Sequence, residues 1–163
     1  MKTTRTDRIL RVIAFLCLAA VLVALISQHI FGMEPCAWCV LQRLILLAIA
    51  FVCIVTSLGW GLKALRQLGA LLTLLLSISG VVAAWYQYSV AAHSFSCAQT
   101  FADKFMSGTG LDADMPWLFG IYASCMDARV SLLGVEYSLW GLMLFVLCGL
   151  LALWALAAHS GRD

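Results

Sequence analysis

Residues 68–90, LGALLTLLLSISGVVAAWYQYSV, contain no charged side chain and are long enough to cross a lipid bilayer as a helix. A membrane-spanning helix needs about 20 predominantly apolar residues. Similar stretches lie at about 12–31, 40–60 and 138–158, and Arg43 is the one charged residue within any of the four. The pattern predicts an all-α membrane protein, a single integral membrane domain built as a bundle of four transmembrane helices.

The composition supports this class. Of the 163 residues, 64% are hydrophobic and 11% are charged, and the mean hydropathy is +1.01. A soluble domain carries about 25% charged residues, so this chain has too little polar surface to cover a globule in water. Its net charge of +2, without basic runs beyond the N-terminus, gives no indication of nucleic-acid binding. The first apolar stretch reaches spanning length and lacks an A-x-A-like site, which favours a retained span over a cleaved signal peptide.

The positive charges of the short connections predict the orientation. Cytoplasmic loops of membrane proteins are enriched in Lys and Arg. In a four-span chain three basic segments fall on the same side, and they contain Lys2, Arg5, Arg8, Arg11, Lys63, Arg66 and Arg162. We therefore expect both termini in the cytoplasm, a short outer loop at about 32–39 and a long outer loop at about 91–137. The apolar island 115–119 within the long loop is interpreted as lying on the membrane surface or packing against the bundle.

The seven cysteines divide into two groups according to this topology. Three lie inside the predicted spans, where a buried cysteine behaves as a small apolar side chain, and these are Cys17, Cys53 and Cys148. Four lie at the outer side, namely Cys36, Cys39, Cys97 and Cys125. Disulfides persist outside the cytosol and are rare within it. The one-sided placement therefore predicts that the outer cysteines form or exchange disulfides.

Cys36 and Cys39 form a Cys-Ala-Trp-Cys motif directly after Pro35. The two-residue spacer permits a small, reversible disulfide ring, and the motif falls where the second span begins. The partial positive charge of a helix N-terminus stabilises thiolate, the species that reacts in disulfide exchange. A static disulfide and a zinc half-site are the alternatives. Cys97 and Cys125 make a second candidate pair across the long loop.

Arg43 lies four residues after Cys39, which is one helical turn deeper on the same face and roughly 6 Å along the axis. A charge at the centre of a span costs about 2.5–3.5 kcal/mol on insertion scales and by default marks function. Snorkelling to the head groups is the alternative at this shallow depth. The functional interpretation is a fixed positive charge that stabilises a Cys39 thiolate and a reduced, anionic acceptor, such as a membrane quinone.

The chain resembles the disulfide-bond formation protein B (DsbB) family of bacterial inner-membrane thiol oxidases over nearly its whole length. The resemblance covers the four spans, the CxxC motif in the short outer loop and the two further cysteines in the long one. Its local motifs are Gln28-His29, Pro35-Cys36-x-x-Cys39, Gln42-Arg43, and Cys125 followed by Leu133-Gly134 and Glu136.

The resemblance implies roles for these residues. Cys36–Cys39 would be the quinone-linked disulfide, with Cys39 contacting the quinone and Arg43 supporting it. Cys97–Cys125 would be the exchange disulfide, in which Cys97 joins a periplasmic DsbA-like thioredoxin-fold partner and Cys125 pairs transiently with Cys36. The acceptor would be a membrane quinone, ubiquinone in preference to menaquinone.

His29 is a further candidate for the quinone pocket, with simple packing as the alternative. Two other functions fit the pattern of spans and cysteines. One is a tetraspan scaffold whose loop disulfides are structural. The other is an oxidoreductase similar to vitamin-K-epoxide reductase, although in that family the CxxC motif falls on a late helix.

Overall fold

Four long helices form the body of the protein, as the computed structural model shows for residues 5–58, 62–91, 100–128, 130–132 and 134–160. Each is long and apolar enough to cross a membrane. In chain order they are α1 (Arg5–His29), α2 (Ala37–Leu58), α3 (Lys63–Ser89) and, at the end of the chain, α7 (Tyr137–Ser160). Between α3 and α7 lie α4 (Phe101–Thr109), α5 (Leu111–Asp114), α6 (Pro116–Phe119) and the strands β1 (Ser131–Leu132) and β2 (Val135–Glu136).

The four spanning helices pack in a ring. α1 lies between α2 and α7, and α3 closes the ring by packing against α2 on one side and α7 on the other. The predicted four-helix membrane bundle is therefore confirmed. At one end of the bundle α1 and α3 finish while α2 and α7 begin, and this end, which carries Cys36, is called the cysteine end below.

The most extensive helix packing in the described part of the chain is between α3 and α7. Gly80 of α3 lies directly against the aromatic ring of Phe145, which is fully buried on α7. Membrane helices gain no hydrophobic driving force from leaving lipid, so they associate through van der Waals contact, and small residues allow that close approach. The glycine on α3 thus provides the space for the largest fully buried side chain of the core.

The first helix extends beyond the predicted membrane span. α1 starts at Arg5, whereas the span is predicted from about residue 12, and Asp7 is buried within the first turns of the helix. Its carboxylate lies 2.7 Å from the guanidinium of Arg66, and the guanidinium of Arg5 lies 4.7 Å from the centre of the Trp154 ring. Paired in this way, the charged residues extend the helix instead of forming a separate basic tail.

The long connection between α3 and α7 is largely structured in its described part. α4 begins with a capping box, in which Thr100 and Asp103 satisfy each other's backbone amides. Its Met106 is fully buried, because α4 packs against the beginning of α2. α6 contains the apolar island, where Phe119 is buried while Trp117 remains exposed. The island therefore packs on the bundle through Phe119, while Trp117 is exposed at the surface of the protein.

We predict that Gly80→Ala destabilises the folded protein by about 1–3 kcal/mol, which is typical of overpacking. A Cβ at position 80 would overlap the buried ring of Phe145. Gly149→Ala on α7 is the matched control, since its Cβ would meet Ser77 at an ordinary 3.6 Å. The thermal unfolding temperatures of the two purified variants in the same detergent test this. Equal temperatures would contradict the close packing of α3 on α7.

Candidate functional site

The beginning of α2 is fixed by Pro35 and Cys36. The carbonyl of Cys36 accepts the first helical hydrogen bond, from the amide of Val40 at 3.0 Å, so Cys36 is the N-cap residue. The carbonyl of Pro35 accepts hydrogen bonds from the amides of Tyr122 at 3.1 Å and Ala123 at 3.4 Å. The polypeptide after α6 is thereby tied to the residue that precedes the CxxC motif.

Three sulfurs meet at this helix start. The sulfurs of Cys36 and Cys39 lie 3.1 Å apart, and Cys125 packs against the cluster of buried residues that contains Cys36, close enough to change the pKa of its thiol. Cys36 has no exposed surface, whereas Cys39 and Cys125 are partly buried. The structure thus places Cys36 between a cysteine of the bundle and a cysteine of the long loop. Cys97, the expected partner of Cys125, lies outside the described residues, and that pairing stays a prediction.

The surroundings change the pKa values of the Cys36 and Cys125 thiols in opposite directions. The hydrogen bonds that Cys36 shares with Cys125 and with Cys39, together with burial, raise the pKa of Cys36 above its ordinary value. The hydrogen bond from Cys36 lowers the pKa of Cys125, and the backbone amide of Trp38 in the first turn of α2 lowers it further against the effect of burial. Cys125 is therefore the more readily ionised thiol and Cys36 the sulfur next to it.

Arg43 extends into the protein rather than toward the head groups. It is buried, and its guanidinium donates to the side-chain oxygen of Gln28 at 2.6 Å and to the carbonyls of Leu118 at 3.1 Å and Ala24 at 3.4 Å. These bonds join α1, α2 and α6. The side chain is held with its charge close enough to act on Cys39, and the snorkelling alternative does not describe its position.

A cavity of about 250 Å³ opens beside Cys39, within the ring of spanning helices. All four of these helices contribute to its wall. It is lined by Ala20, Val23, Ala24, Cys39, Gln42, Arg43, Leu46, Gln87, Tyr137, Ser138, Trp140, Gly141 and Leu144. An apolar cavity with a few convergent polar groups is the usual form of a small-molecule site.

His29, at the end of α1, contacts the backbone of α6. Its Nε2 lies 2.9 Å from the carbonyl oxygen of Trp117, and it is not among the residues that line this cavity. His29 thus connects the end of α1 to α6, and its role at a quinone stays a prediction.

Two glutamines of the site were not singled out from the sequence as site residues. Gln87 of α3 donates through its Nε2 to the sulfur of Cys39 at 3.1 Å and to that of Cys36 at 3.6 Å. Its Oε1 accepts from the Nε2 of Gln42 at 2.6 Å. A search for charged residues in the spans misses both side chains. Both glutamines can be recognised as uncharged amides within predicted spans, because a polar group there requires a hydrogen-bond partner.

The fold and the site define an integral membrane protein with a thiol cluster at one end of a four-helix bundle and an apolar cavity behind it. Comparison with known proteins gives the family. The family model described as "Disulfide bond formation protein DsbB" matches residues 6–155. The chain belongs to this family.

Several curated relatives match nearly from end to end. A "Disulfide bond formation protein B" of Herminiimonas arsenicoxydans is 30% identical over 154 residues, which is 94% of this chain and 95% of the relative. The protein of the same name from Verminephrobacter eiseniae is 32% identical over 162 residues, covering 95% and 88% of the two chains. That of Nitrosococcus oceani is 28% identical over 152 residues, covering 90% and 89%. The protein is accordingly a multi-pass membrane protein of disulfide bond formation, with the disulfide oxidoreductase role that the family name implies.

We predict that the hydrogen bond from Cys36 determines the acidity of Cys125. In reduced protein carrying Cys39→Ser and Cys97→Ser, adding Cys36→Ser retains a hydroxyl donor, whereas adding Cys36→Ala removes it. Alkylation of Cys125 by iodoacetamide, followed by mass spectrometry from pH 5 to 10, should show a higher pKa in the alanine variant. A rise of one unit lowers the thiolate fraction at neutral pH about tenfold. Identical pH profiles for the serine and alanine variants would show that Cys36 does not control Cys125.

Proposed function

We propose that the protein is a thiol oxidase of the bacterial inner membrane that reoxidises a periplasmic, DsbA-like thioredoxin-fold protein and passes the electrons to a membrane quinone. In the proposed membrane orientation the cysteine end faces the periplasm and both termini lie in the cytoplasm. The observation that carries the proposal is the position of the sulfurs. Cys36 lies beside the loop cysteine Cys125 on one side, and on the other side its sulfur contacts that of Cys39, which lines the cavity within the bundle.

The exchange can be written with every bond accounted for. A thiolate of the partner attacks Cys97 of a Cys97–Cys125 disulfide, and Cys125 leaves as a thiolate. The second thiol of the partner then displaces Cys97, which completes the disulfide of the partner. The Cys125 thiolate attacks Cys36, and the bond between Cys36 and Cys39 breaks with its electron pair on Cys39. Cys97 then attacks Cys125, which restores the Cys97–Cys125 disulfide and leaves Cys36 and Cys39 as the reduced pair that a quinone would reoxidise to their disulfide. The position of Cys36 beside both Cys39 and Cys125 fits these steps.

A quinone would accept the two electrons and two protons at the end of this path, and the cavity suits such a group. Its wall is mainly apolar, as the quinone ring requires, and Arg43 and Gln42 contribute N–H donors for carbonyl oxygens. Arg43 is held by three oxygen acceptors, so its positive charge is already in place before an acceptor gains negative charge. Preorganised charge of this kind stabilises developing negative charge without rearrangement. We propose ubiquinone in preference to menaquinone.

The contacts around Cys36 favour this function over a scaffold with structural disulfides. A structural disulfide needs two sulfurs, whereas here Cys36 contacts Cys39 and also has Cys125 packed beside it. Such an arrangement permits exchange of partners. Membership of the DsbB family likewise favours it over an oxidoreductase similar to vitamin-K-epoxide reductase.

We expect Cys36→Ser and Cys39→Ser each to reduce quinone turnover to the background rate. The assay mixes the purified protein with a reduced DsbA-like partner and a soluble ubiquinone analogue, and it follows quinone absorbance. Cys53→Ala is the matched control, since Cys53 lies on the same helix but is buried beside Thr73 of α3 and away from the cavity. Turnover that persists in either serine variant would refute the proposed electron path.

We expect Arg43→Ala to raise the KM for the quinone analogue about tenfold or more, because a hydrogen bond to a charged group contributes about 1.5–3 kcal/mol. Arg43→Lys retains the charge without the forked donors, so its KM for the quinone analogue should lie between those of Arg43→Ala and the parent protein. The KM for the protein partner should remain unchanged in both. An unaltered quinone KM in Arg43→Ala would mean that Arg43 serves the packing of α6 alone.

A further inference from the structure

Gln87 lies where its side-chain amide can donate a hydrogen bond to a thiolate at Cys39. Cys39 belongs to a spanning helix and is only partly accessible, so water cannot solvate a negative charge there as it does at a surface. A buried anion is tolerated when hydrogen-bond donors surround it. The guanidinium of Arg43 directs its hydrogen bonds to Gln28, Leu118 and Ala24, so it offers Cys39 charge at a distance. The side-chain amide of Gln87 touches the sulfur directly, at 3.1 Å.

We propose that Gln87 is a catalytic hydrogen-bond donor that stabilises the Cys39 thiolate, and that Gln42 is a positioning residue that orients its amide. The inference rests on the proposed function, because it concerns the step in which the Cys125 thiolate attacks Cys36. In that step the bond between Cys36 and Cys125 forms, the bond between Cys36 and Cys39 breaks, and Cys39 receives the electron pair. Gln87 then faces the sulfur on which the charge appears.

The orientation of the Gln87 amide follows from what each neighbour can accept. A thiolate has no proton to donate, so the group that faces it must be the Nε2 of Gln87 rather than the Oε1. The Oε1 is then free to accept, and the Nε2 of Gln42 donates to it at 2.6 Å. Both glutamines are buried, so neither amide exchanges its partner for bulk water.

Gln42 is itself held by the close approach of α7. A Cβ at Gly141 would lie 2.9 Å from the Oε1 of Gln42, so the glycine leaves the space that this amide occupies. Gly141 of α7 thus leaves room for a row of hydrogen bonds that runs from Gln42 of α2 through Gln87 of α3 to the sulfur of Cys39. The row gives the donor a fixed direction before the thiolate forms.

The test isolates Cys39 from its redox partners. In a background of Cys36→Ser, Cys97→Ser and Cys125→Ser, Cys39 is the remaining cysteine at the cysteine end. The pH dependence of its alkylation by iodoacetamide, read by mass spectrometry, reports its ionisation. We expect Gln87→Met, which preserves length but has no N–H, to lower the alkylation rate at pH 7 about tenfold by moving the profile to higher pH. Gln42→Met should move the profile in the same direction by less, since the donor remains but loses its orientation.

Gln67→Met is the matched control, because it makes the same substitution on α3 but 20 residues away, about 30 Å along the helix axis. It should leave the profile unchanged. A second variant, Gln87→Asn, withdraws the amide by one methylene and decides the question if the methionine variant fails to fold. A folded Gln87 variant whose profile coincides with that of the parent would overturn the proposal.

The alkylation assay requires neither quinone nor a protein partner, so its outcome is separable from that of the proposed function. A shifted profile together with absent quinone reduction in the parent protein would support Gln87 as a donor and refute the electron path. Normal quinone reduction together with an unshifted profile would retain the electron path and refute Gln87 as the donor.

Discussion

The lack of water inside a bilayer is the constraint on which the site depends. Each polar group within the spans must find its partner in the protein, because an unsatisfied group in hydrocarbon costs several kcal/mol. Arg43, Gln42 and Gln87 meet this requirement with oxygens and sulfurs supplied by neighbouring helices. The same bonds that make these side chains tolerable in lipid also hold them in defined directions around Cys39. The need for hydrogen-bond partners inside the bilayer therefore both permits these polar side chains to be buried and fixes their orientation.

This constraint also explains why the short helices of the long connection matter. α6 supplies two carbonyls, that of Leu118 to Arg43 and that of Trp117 to His29. A helix end leaves carbonyls without intrahelical partners, and these two are satisfied by side chains of the spanning helices. The connection is therefore part of the structure that fixes the charge beside the thiols, in addition to carrying Cys125.

The predicted spans and the group of cysteines at one end follow from periodicities and charges that the sequence displays directly. Arg43 was also identifiable, since it is the one charge within the predicted spans. Gln87 was not identified, because an uncharged amide among Trp, Tyr and Ala does not interrupt an apolar stretch. The extension of α1 beyond the predicted span could not be predicted for a related reason. Asp7 and Arg66 are far apart in sequence, and only the packing of α1 on its neighbours makes them a pair. The position of Cys125 beside Cys36 likewise depends on how the loop returns to Pro35, which spacing alone does not determine.

The distribution of the cavity wall over the chain has a consequence for how the protein is made. The CxxC motif belongs to the first half of the sequence, whereas Tyr137, Gly141 and Leu144 of the last helix complete the wall beside it. During synthesis Cys39 is therefore present well before the last helix completes the cavity that it lines. A chain interrupted before α7 would carry the CxxC motif without this part of the wall. Assembly of the final helix is thus the event that completes the cavity beside Cys39.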